Sequence, residues 1–199
     1  LFKTVGIIGN GFVGNAIAKG FGKFVNCVKI YDIDETKSKH SFEDVNNCDY
    51  VFVCLPTPMT VKEGGKCNLN IIKDYFSKLK PNQKSIYIIK STVPIGTTNE
   101  IQEKYPNLLL VHNPEFLTAL NAESDFVNND RTVIGGKSKH AVLDVAELYQ
   151  QCFPNTPIHK MTSDESEAVK YIANCFLATK ISFMNEMYQI AEKSNVDWE

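Results

Sequence analysis

Six short runs of aliphatic, β-branched and aromatic residues recur along the chain: TVGIIG (4–9), VKIYD (28–32), YVFVCLP (50–56), SIYIIKS (85–91), LLLVHN (108–113) and RTVIGG (131–136). Segments of roughly ten to twenty residues separate them, and strands that alternate with helical segments form parallel sheets. YVFVCLP and SIYIIKS are apolar at nearly every position rather than every second one, so both of their faces must be covered. The pattern predicts a doubly wound α/β fold.

The punctuation between the runs places four helices. One opens at Gly11 and runs to about Gly22. A second spans Ile71 to Lys80, with Asn70 as its N-cap and Pro81-Asn82 as its stop. A third covers about Ser138 to Gln151. The last is of another kind: from Ser163 to about Lys193 there is no Pro or Gly, and Ala168, Val169, Ile172, Ala173, Phe176, Leu177, Ile181, Met184, Met187, Tyr188 and Ala191 recur at intervals of three and four. Ser163 is followed three residues later by Ser166, so no capping box is expected there. A helix of about eight turns, ~45 Å long, that is apolar on most sides needs a second domain or a second subunit.

Composition narrows the class without changing the fold. The 199 residues are 43% apolar and 22% charged, and 21 basic against 23 acidic side chains leave a net charge of −2. That describes an ordinary globular chain holding one large domain and part of something else. With no block of like charge, nucleic acid and anionic membrane surfaces are not expected as partners. No apolar run approaches the ~18 residues of a membrane span and no signal peptide is legible, so the expected location is cytoplasmic. Cys27, Cys48, Cys54, Cys67, Cys152 and Cys175 form no CxxC pair, and His40, His112, His140 and His159 are not grouped with them. They read as reduced thiols, mostly core filler, and no metal site is expected. The chain starts at Leu1 without an initiator Met and is expected to be a piece of something longer.

Three features carry chemistry. Gly9-Asn10-Gly11-Phe12-Val13-Gly14 lies directly between a predicted strand and a predicted helix. In such a loop the first glycine makes the turn, the second admits a pyrophosphate, and the third lets helix pack on strand. Asp32 ends the next strand, where a carboxylate accepts the ribose hydroxyls and repels a 2′-phosphate; together these point to NAD. Next come three strand-end loops, Pro56-Thr57-Pro58, Ser91-Thr92-Val93-Pro94 and Asn113-Pro114-Glu115-Phe116. Ordinary turn chemistry would use the same residues, but ligands on such sheets bind beyond the carboxyl ends of the strands. Lastly, Lys170 and Asn174 are four apart on one helix face, where an ammonium and an amide can stabilise a developing alkoxide. The plain alternative is a solvated lysine, with Glu167 and Lys170 as an i,i+3 surface pair.

The stretches GNGFVG, FVCLPTP, KSTVPIGTT, NPEFL, RTVIGG and EAVKYIANCFLATKISFMNE together resemble the nucleotide-sugar dehydrogenases of the UDP-glucose/GDP-mannose dehydrogenase family, in that family's order, from Val5 to about Ala191. The resemblance implies a mostly parallel Rossmann-like sheet over residues 1–160, followed by a long central helix region over 161–199 that builds a homodimer. It implies two NAD-dependent oxidations of a sugar C6 alcohol to a carboxylate, through an aldehyde, a cysteine thiohemiacetal and a thioester, with UDP-glucose the expected substrate. It puts Gly9 to Gly14 on the pyrophosphate, Asp32 and Lys37 on the adenosine ribose side, and Leu55, Pro56, Thr57, Pro58, Ser91 and Thr92 along the cofactor. Glu115 would stand at the reacting centre beside Thr92, Phe116 and Leu117 would approach the sugar nucleotide, and Lys170 and Asn174 would hold the oxygen that develops charge.

Three departures from the family pattern stand out. The cysteine motif of GGxCFxKD type, and the UDP-binding domain that carries it, do not occur in these residues, and Cys175 reads as packed. Asn113-Pro114-Glu115-Phe116-Leu117-Thr118-Ala119-Leu120 replaces NPEFLREG, so Thr118 and Ala119 stand where an arginine and a glutamate are usual. The stretch from Asp32 to Tyr50 is short. A β-hydroxyacid dehydrogenase, which also carries a Lys-x-x-x-Asn helix, and a non-catalytic NAD-binding or dimerisation module are the alternatives.

Overall fold

The structure, a computed structural model, describes residues 2–60, 65–80 and 84–198. Its strands are β1 (Thr4–Ile8), β2 (Cys27–Tyr31), β3 (Tyr50–Val53), β4 (Met59–Thr60), β5 (Lys66–Cys67), β6 (Ile86–Ile89), β7 (Leu109–His112), β8 (Thr132–Gly135) and β9 (Ile158–Met161). The helices are α1 (Phe12–Phe21), α2 (Phe42–Asn46), α3 (Asn70–Lys78), α4 (Thr97–Lys104), α5 (Ala122–Val127), α6 (Lys139–Cys152) and α7 (Ser163–Lys193). Seven strands form one sheet in the order β2-β1-β3-β6-β7-β8-β9, and β4 with β5 makes a separate antiparallel hairpin. Every pair in the large sheet is parallel except β7 with β8, which meet only at His112 and Gly135.

Side chains alternate between two covered faces. Val5, Ile7, Tyr50, Phe52, Ile86 and Ile88 pack with Ile17 and Phe21 of α1, Phe126 of α5 and Val145 and Tyr149 of α6. Ile8, Val51, Val53, Tyr87 and Ile89 face the other way, onto Val45 of α2, Ile72 and Phe76 of α3 and Ile101 of α4. Burial on both faces is why the strand sequences run apolar without interruption.

The chain goes from β1 outward to β2, then crosses back to β3 on the far side of β1. The gap beyond the ends of β1 and β3 is therefore the topological switch point, where such sheets bind ligands.

Several local expectations change. Leu69, not Asn70, stands at the N-cap of α3, and Asn68 Oδ1 accepts from the Asn70 amide at 2.9 Å, so the polar turn lies two residues earlier. The expected stop at Pro81-Asn82 lies outside the described residues. The long helix does begin with a capping box, one residue upstream of where it was sought: Thr162 Oγ1 accepts from the Glu165 amide, and Glu165 Oε2 accepts from the Thr162 amide at 2.7 Å. β9 was not anticipated, because its middle residues His159 and Lys160 are exposed on a sheet edge and break the apolar run. Cys48 and Cys152 are buried, Cys27, Cys54 and Cys67 are half-buried, and Cys175 is exposed rather than packed, since α7 has little against its outer side.

At 31 residues α7 is ~46 Å long. Its burial is inverted: the buried positions are Ser163, Ser166, Glu167, Lys170 and Ala191, while Ile172, Phe176, Leu177, Ile181, Met184 and Tyr188 are exposed.

Candidate active site

Gly9 follows β1 with φ of +91°, a left-handed conformation that a side chain resists, and a Cβ there would meet Cys54 O at 2.6 Å. At Gly14 a Cβ would fall 2.0 Å from Gly9 O, so this glycine lets α1 close on the turn. Gly11 differs, since a Cβ built on it meets nothing within 4 Å although the residue lines a cleft. The room at Gly11 is room for a ligand backbone, and the N-terminus of α1 opens beside it. The cleft, about 360 Å³, is walled by Gly11, Phe12 and Val13 from this loop, Cys54 to Thr57 after β3, Lys90 to Thr92 after β6, and Glu115 after β7.

Asp32 stands one residue beyond β2 and ties the loop to that strand. Its Oδ2 accepts from the Asn10 amide at 2.6 Å and its Oδ1 from the Asp34 amide at 2.9 Å. Asn10 Nδ2 in turn donates to Lys37 O at 2.9 Å. The Lys37 ammonium pairs with Asp34 at 3.1 Å, on the surface beside Asp32 and outside the cleft wall. The two walls are joined across the cleft: Thr57 Oγ1 donates to Thr92 O at 2.7 Å, and Ser91 Oγ donates to Leu55 O at 2.6 Å. Pro58 turns away, accepting the Asn68 amide at the foot of the β4–β5 hairpin.

From α7, Lys170 reaches Glu115 at the edge of the cleft. Its Nζ is 3.0 Å from Glu115 Oε1 and donates to Glu115 O at 2.5 Å; the side chains are only 6% and 14% exposed. Glu115 Oε2 accepts from the Leu117 amide at 2.7 Å, which curls the loop back on itself. Two cations approach the Phe116 ring, Lys170 Nζ at 5.3 Å and Arg131 Cζ at 4.3 Å from its centroid. Leu117 packs against the core. Asn174 is exposed and lines an adjoining hollow of about 330 Å³ with Thr57, Thr92, Tyr171 and Cys175. A larger hollow, about 450 Å³, lies between α4 and the start of α7 and holds none of these groups.

Two buried charges were not foreseen. Glu167 is fully buried and is no surface partner of Lys170: its Oε2 accepts from the Gly96 amide at 2.6 Å, and its Oε1 from the amide and hydroxyl of Thr98 at 2.8 and 2.6 Å. Burial pushes its carboxyl up from the usual range. Lys90 is 3% exposed; its Nζ donates to Asn113 Oδ1 at 3.0 Å and approaches Pro114 O at 3.5 Å. Burial lowers its ammonium to about 8, lifts the Cys54 thiol to about 12 and pushes His112 down to about 3. The one sequence signal for Lys90 was its place at the end of a run buried at every position, on the switch-point side of the sheet.

A glycine loop over a sheet switch point, an acceptor carboxylate after β2 and a cleft with open space at Gly11 define a dinucleotide-binding α/β protein, and the residues present fit that ligand. Residues 38–153 match the NAD binding domain of the UDP-glucose/GDP-mannose dehydrogenase family, and 164–199 match that family's central domain. The chain belongs to this family, whose cofactor is NAD. It is 32% identical to the UDP-glucose 6-dehydrogenase of Rickettsia prowazekii, over 96% of this chain and 52% of that protein. It is 29% identical to UDP-glucose 6-dehydrogenase TuaD of Bacillus subtilis, over 98% and 50% respectively. A UDP-glucose dehydrogenase from Pyrobaculum islandicum superposes with a TM-score of 0.84 at 25% identity, covering 99% of this chain and 55% of that one. The chain thus spans about half the length of these relatives. Among the described residues no helix is long and apolar enough to cross a membrane, and no group of three or more His, Cys, Asp or Glu is placed to hold a metal.

Proposed function

We propose that this chain forms the cofactor half of an NAD-dependent dehydrogenase that oxidises the C6 hydroxyl of a nucleotide sugar, UDP-glucose in the first instance. The supporting observation is the Lys170–Glu115 pair, nearly dry, whose carboxylate lines the switch-point cleft. Bound there, NAD would accept the hydride. Lys170 already has its ammonium on a carboxylate and a carbonyl, so its donors are aimed at oxygen, and a substrate oxygen gaining negative charge would take their place. Asn174, one turn on, offers an amide to that oxygen or to water. Glu115 and Thr92 orient a proton or a water between them. Phe116, close to both Lys170 and Arg131, offers its ring to the sugar nucleotide with Leu117 behind it. Gly9 to Gly14 take the pyrophosphate and Asp32 the ribose, with Lys37 on its flank; Leu55, Pro56, Thr57 and Ser91 complete the cofactor side.

In this reading residues 1–160 are the cofactor domain and 161–199 the helix that pairs two copies. A reducing cytoplasm suits six free cysteines. The cysteine-dependent second oxidation would need a thiol other than Cys54, whose burial keeps it protonated.

The test is an NADH titration by fluorescence, then incubation with NAD and UDP-glucose followed by NADH absorbance. The expectation is saturable NADH binding with poor turnover by this chain alone, and any UDP-glucose-dependent NADH formation lost in Lys170→Ala while NADH binding persists. Binding without product from UDP-glucose or another sugar nucleotide would favour the non-catalytic module, and product from a β-hydroxyacid would favour the alternative enzyme.

A further inference from the structure

The cleft wall carries a charge imbalance. Lys90 and Lys170 both stand at the loop that bears Glu115, and the acceptors of Lys90 are the neutral Asn113 Oδ1 and Pro114 O. Asn113 is fixed in turn, since its Nδ2 donates to Val133 O at 2.6 Å and its Oδ1 also accepts from Tyr149 at 2.7 Å. The Lys90 head group is therefore locked under the loop by β7, β8 and α6 and has no freedom to swing out to solvent. Two cations against one carboxylate leave one surplus positive charge in a nearly dry wall. An unpaired buried charge is costly to folding, and one held in the wall of a cleft is a candidate functional group.

We propose that Lys90 sets the redox preference of the cleft: a fixed cation beneath the Glu115 loop that disfavours the positively charged nicotinamide ring of oxidised NAD and favours the neutral ring of NADH. This rests on the proposed reading, which places the reacting ring beside Glu115 and Lys170. Lys90 acts through the field and touches no reacting atom, so it is a positioning residue. Removing a positive charge from the ring on hydride acceptance relieves the repulsion, and the wall thereby draws the reaction toward reduction of the cofactor.

The groups that face Lys90 are Cys54 at the end of β3, His112 of β7, Tyr149 of α6, Glu115 of the loop and Lys170 of α7. With Cys54 held at about 12, Tyr149 pushed well above its usual range and His112 at about 3, none of these three titrates near pH 8.

The experiment is calorimetric titration of the chain with NAD and with NADH between pH 7 and 9, for the parent, Lys90→Met and Lys90→Arg. Expected in the parent is tighter binding of NADH, with the ratio of the two dissociation constants falling as pH rises through about 8. Lys90→Met should lower the pH 7 ratio about tenfold, the scale of one unit charge on another about 12 Å away at an effective dielectric constant of about 20, and flatten its pH dependence. Lys90→Arg should hold the ratio through pH 9. A Lys90→Met ratio equal to the parent's, or a step at pH 8 that survives in Lys90→Arg, would overturn the proposal. If Lys90→Met does not fold, the parent and Lys90→Arg profiles decide alone. Failure to bind either form would instead overturn the dinucleotide reading beneath it.

Discussion

Glu167 and Thr98 are joined twice, Glu167 Oε1 accepting both the amide and the hydroxyl of Thr98. With the Gly96 amide on Oε2, one carboxylate from α7 satisfies donors at the start of α4, a helix whose own N-cap residue, Gly96, has no side chain to do so. Glu167 sits three residues before Lys170, so this clamp fixes α7 against the loop that follows Ser91 and Thr92.

Glu167→Ala would leave three donors unmet in a buried place and should destabilise the chain by about 3 kcal/mol, lowering Tm by roughly 6–12 °C. Glu167→Gln keeps one acceptor for Thr98 but turns an amide toward the Gly96 N–H, so about half that loss is expected. Thermal melts of both variants check this; a Glu167→Ala protein within about 2 °C of its parent would show that water replaces the clamp.

The glycines separate fold from ligand. Gly14→Ala forces a Cβ onto Gly9 O and should lower stability by several kcal/mol, whereas Gly11→Ala meets open space and should shift it by less than about 1 kcal/mol. Yet Gly11→Ala should weaken NADH binding by about tenfold or more, because the methyl occupies the cleft. Melting curves and NADH titrations on the same samples decide; unaltered binding in Gly11→Ala would move the pyrophosphate elsewhere.

Asp32 predicts cofactor choice. NAD should bind at least about tenfold more tightly than NADP, a gap of ~1.4 kcal/mol. Asp32→Asn keeps an oxygen for the Asn10 amide but loses the charge that repels a 2′-phosphate, so the two affinities should converge. Equal affinities in the parent, measured by calorimetry, would remove Asp32 from the ribose.

Much of this was legible in the sequence for a physical reason. Strands buried on both faces have no polar face to hide their pattern, and Gly9 and Gly14 stand where backbone geometry leaves no other choice. β9 was illegible because an edge strand with exposed His159 and Lys160 carries no apolar period. Glu167 and Lys90 were read past for a different reason: a charged residue in a sequence is solvated by default, and only the fold reveals that their neighbours have taken the place of water. Lys170 and Glu115 are 55 positions apart, so their pairing required the resemblance rather than any local signal.

Lys90 also predicts how stability varies with pH. Its folded value of about 8 lies below the unfolded 10.5, so between those limits the unfolded chain holds more protons and the contribution of Lys90 to stability rises with pH. Below pH 8 the buried ammonium carries its full cost, on the order of 3 kcal/mol. Lys90→Met should therefore be more stable than the parent at pH 7, with the advantage shrinking toward pH 10. Denaturant unfolding at both pH values measures it, and a constant difference would mean that Lys90 titrates as it does in water.

The outer side of α7 makes the last prediction. Leu177, Ile181, Met184 and Tyr188 recur at four, three and four, the seam spacing of paired helices, and each is at least 45% exposed. Phe176 and Ile172 widen the stripe, both more than 60% exposed. So much contiguous apolar surface on a straight 31-residue helix is seldom left to water, and a second copy of the same helix presents the complementary spacing. Sedimentation should show a mass rising with concentration from 22.4 kDa toward twice that, and Ile181→Asp should hold it at the lower value with little change in Tm, since Ile181 contributes nothing to the core. A parent that stays at the lower mass up to about 100 μM would assign this face to a different partner.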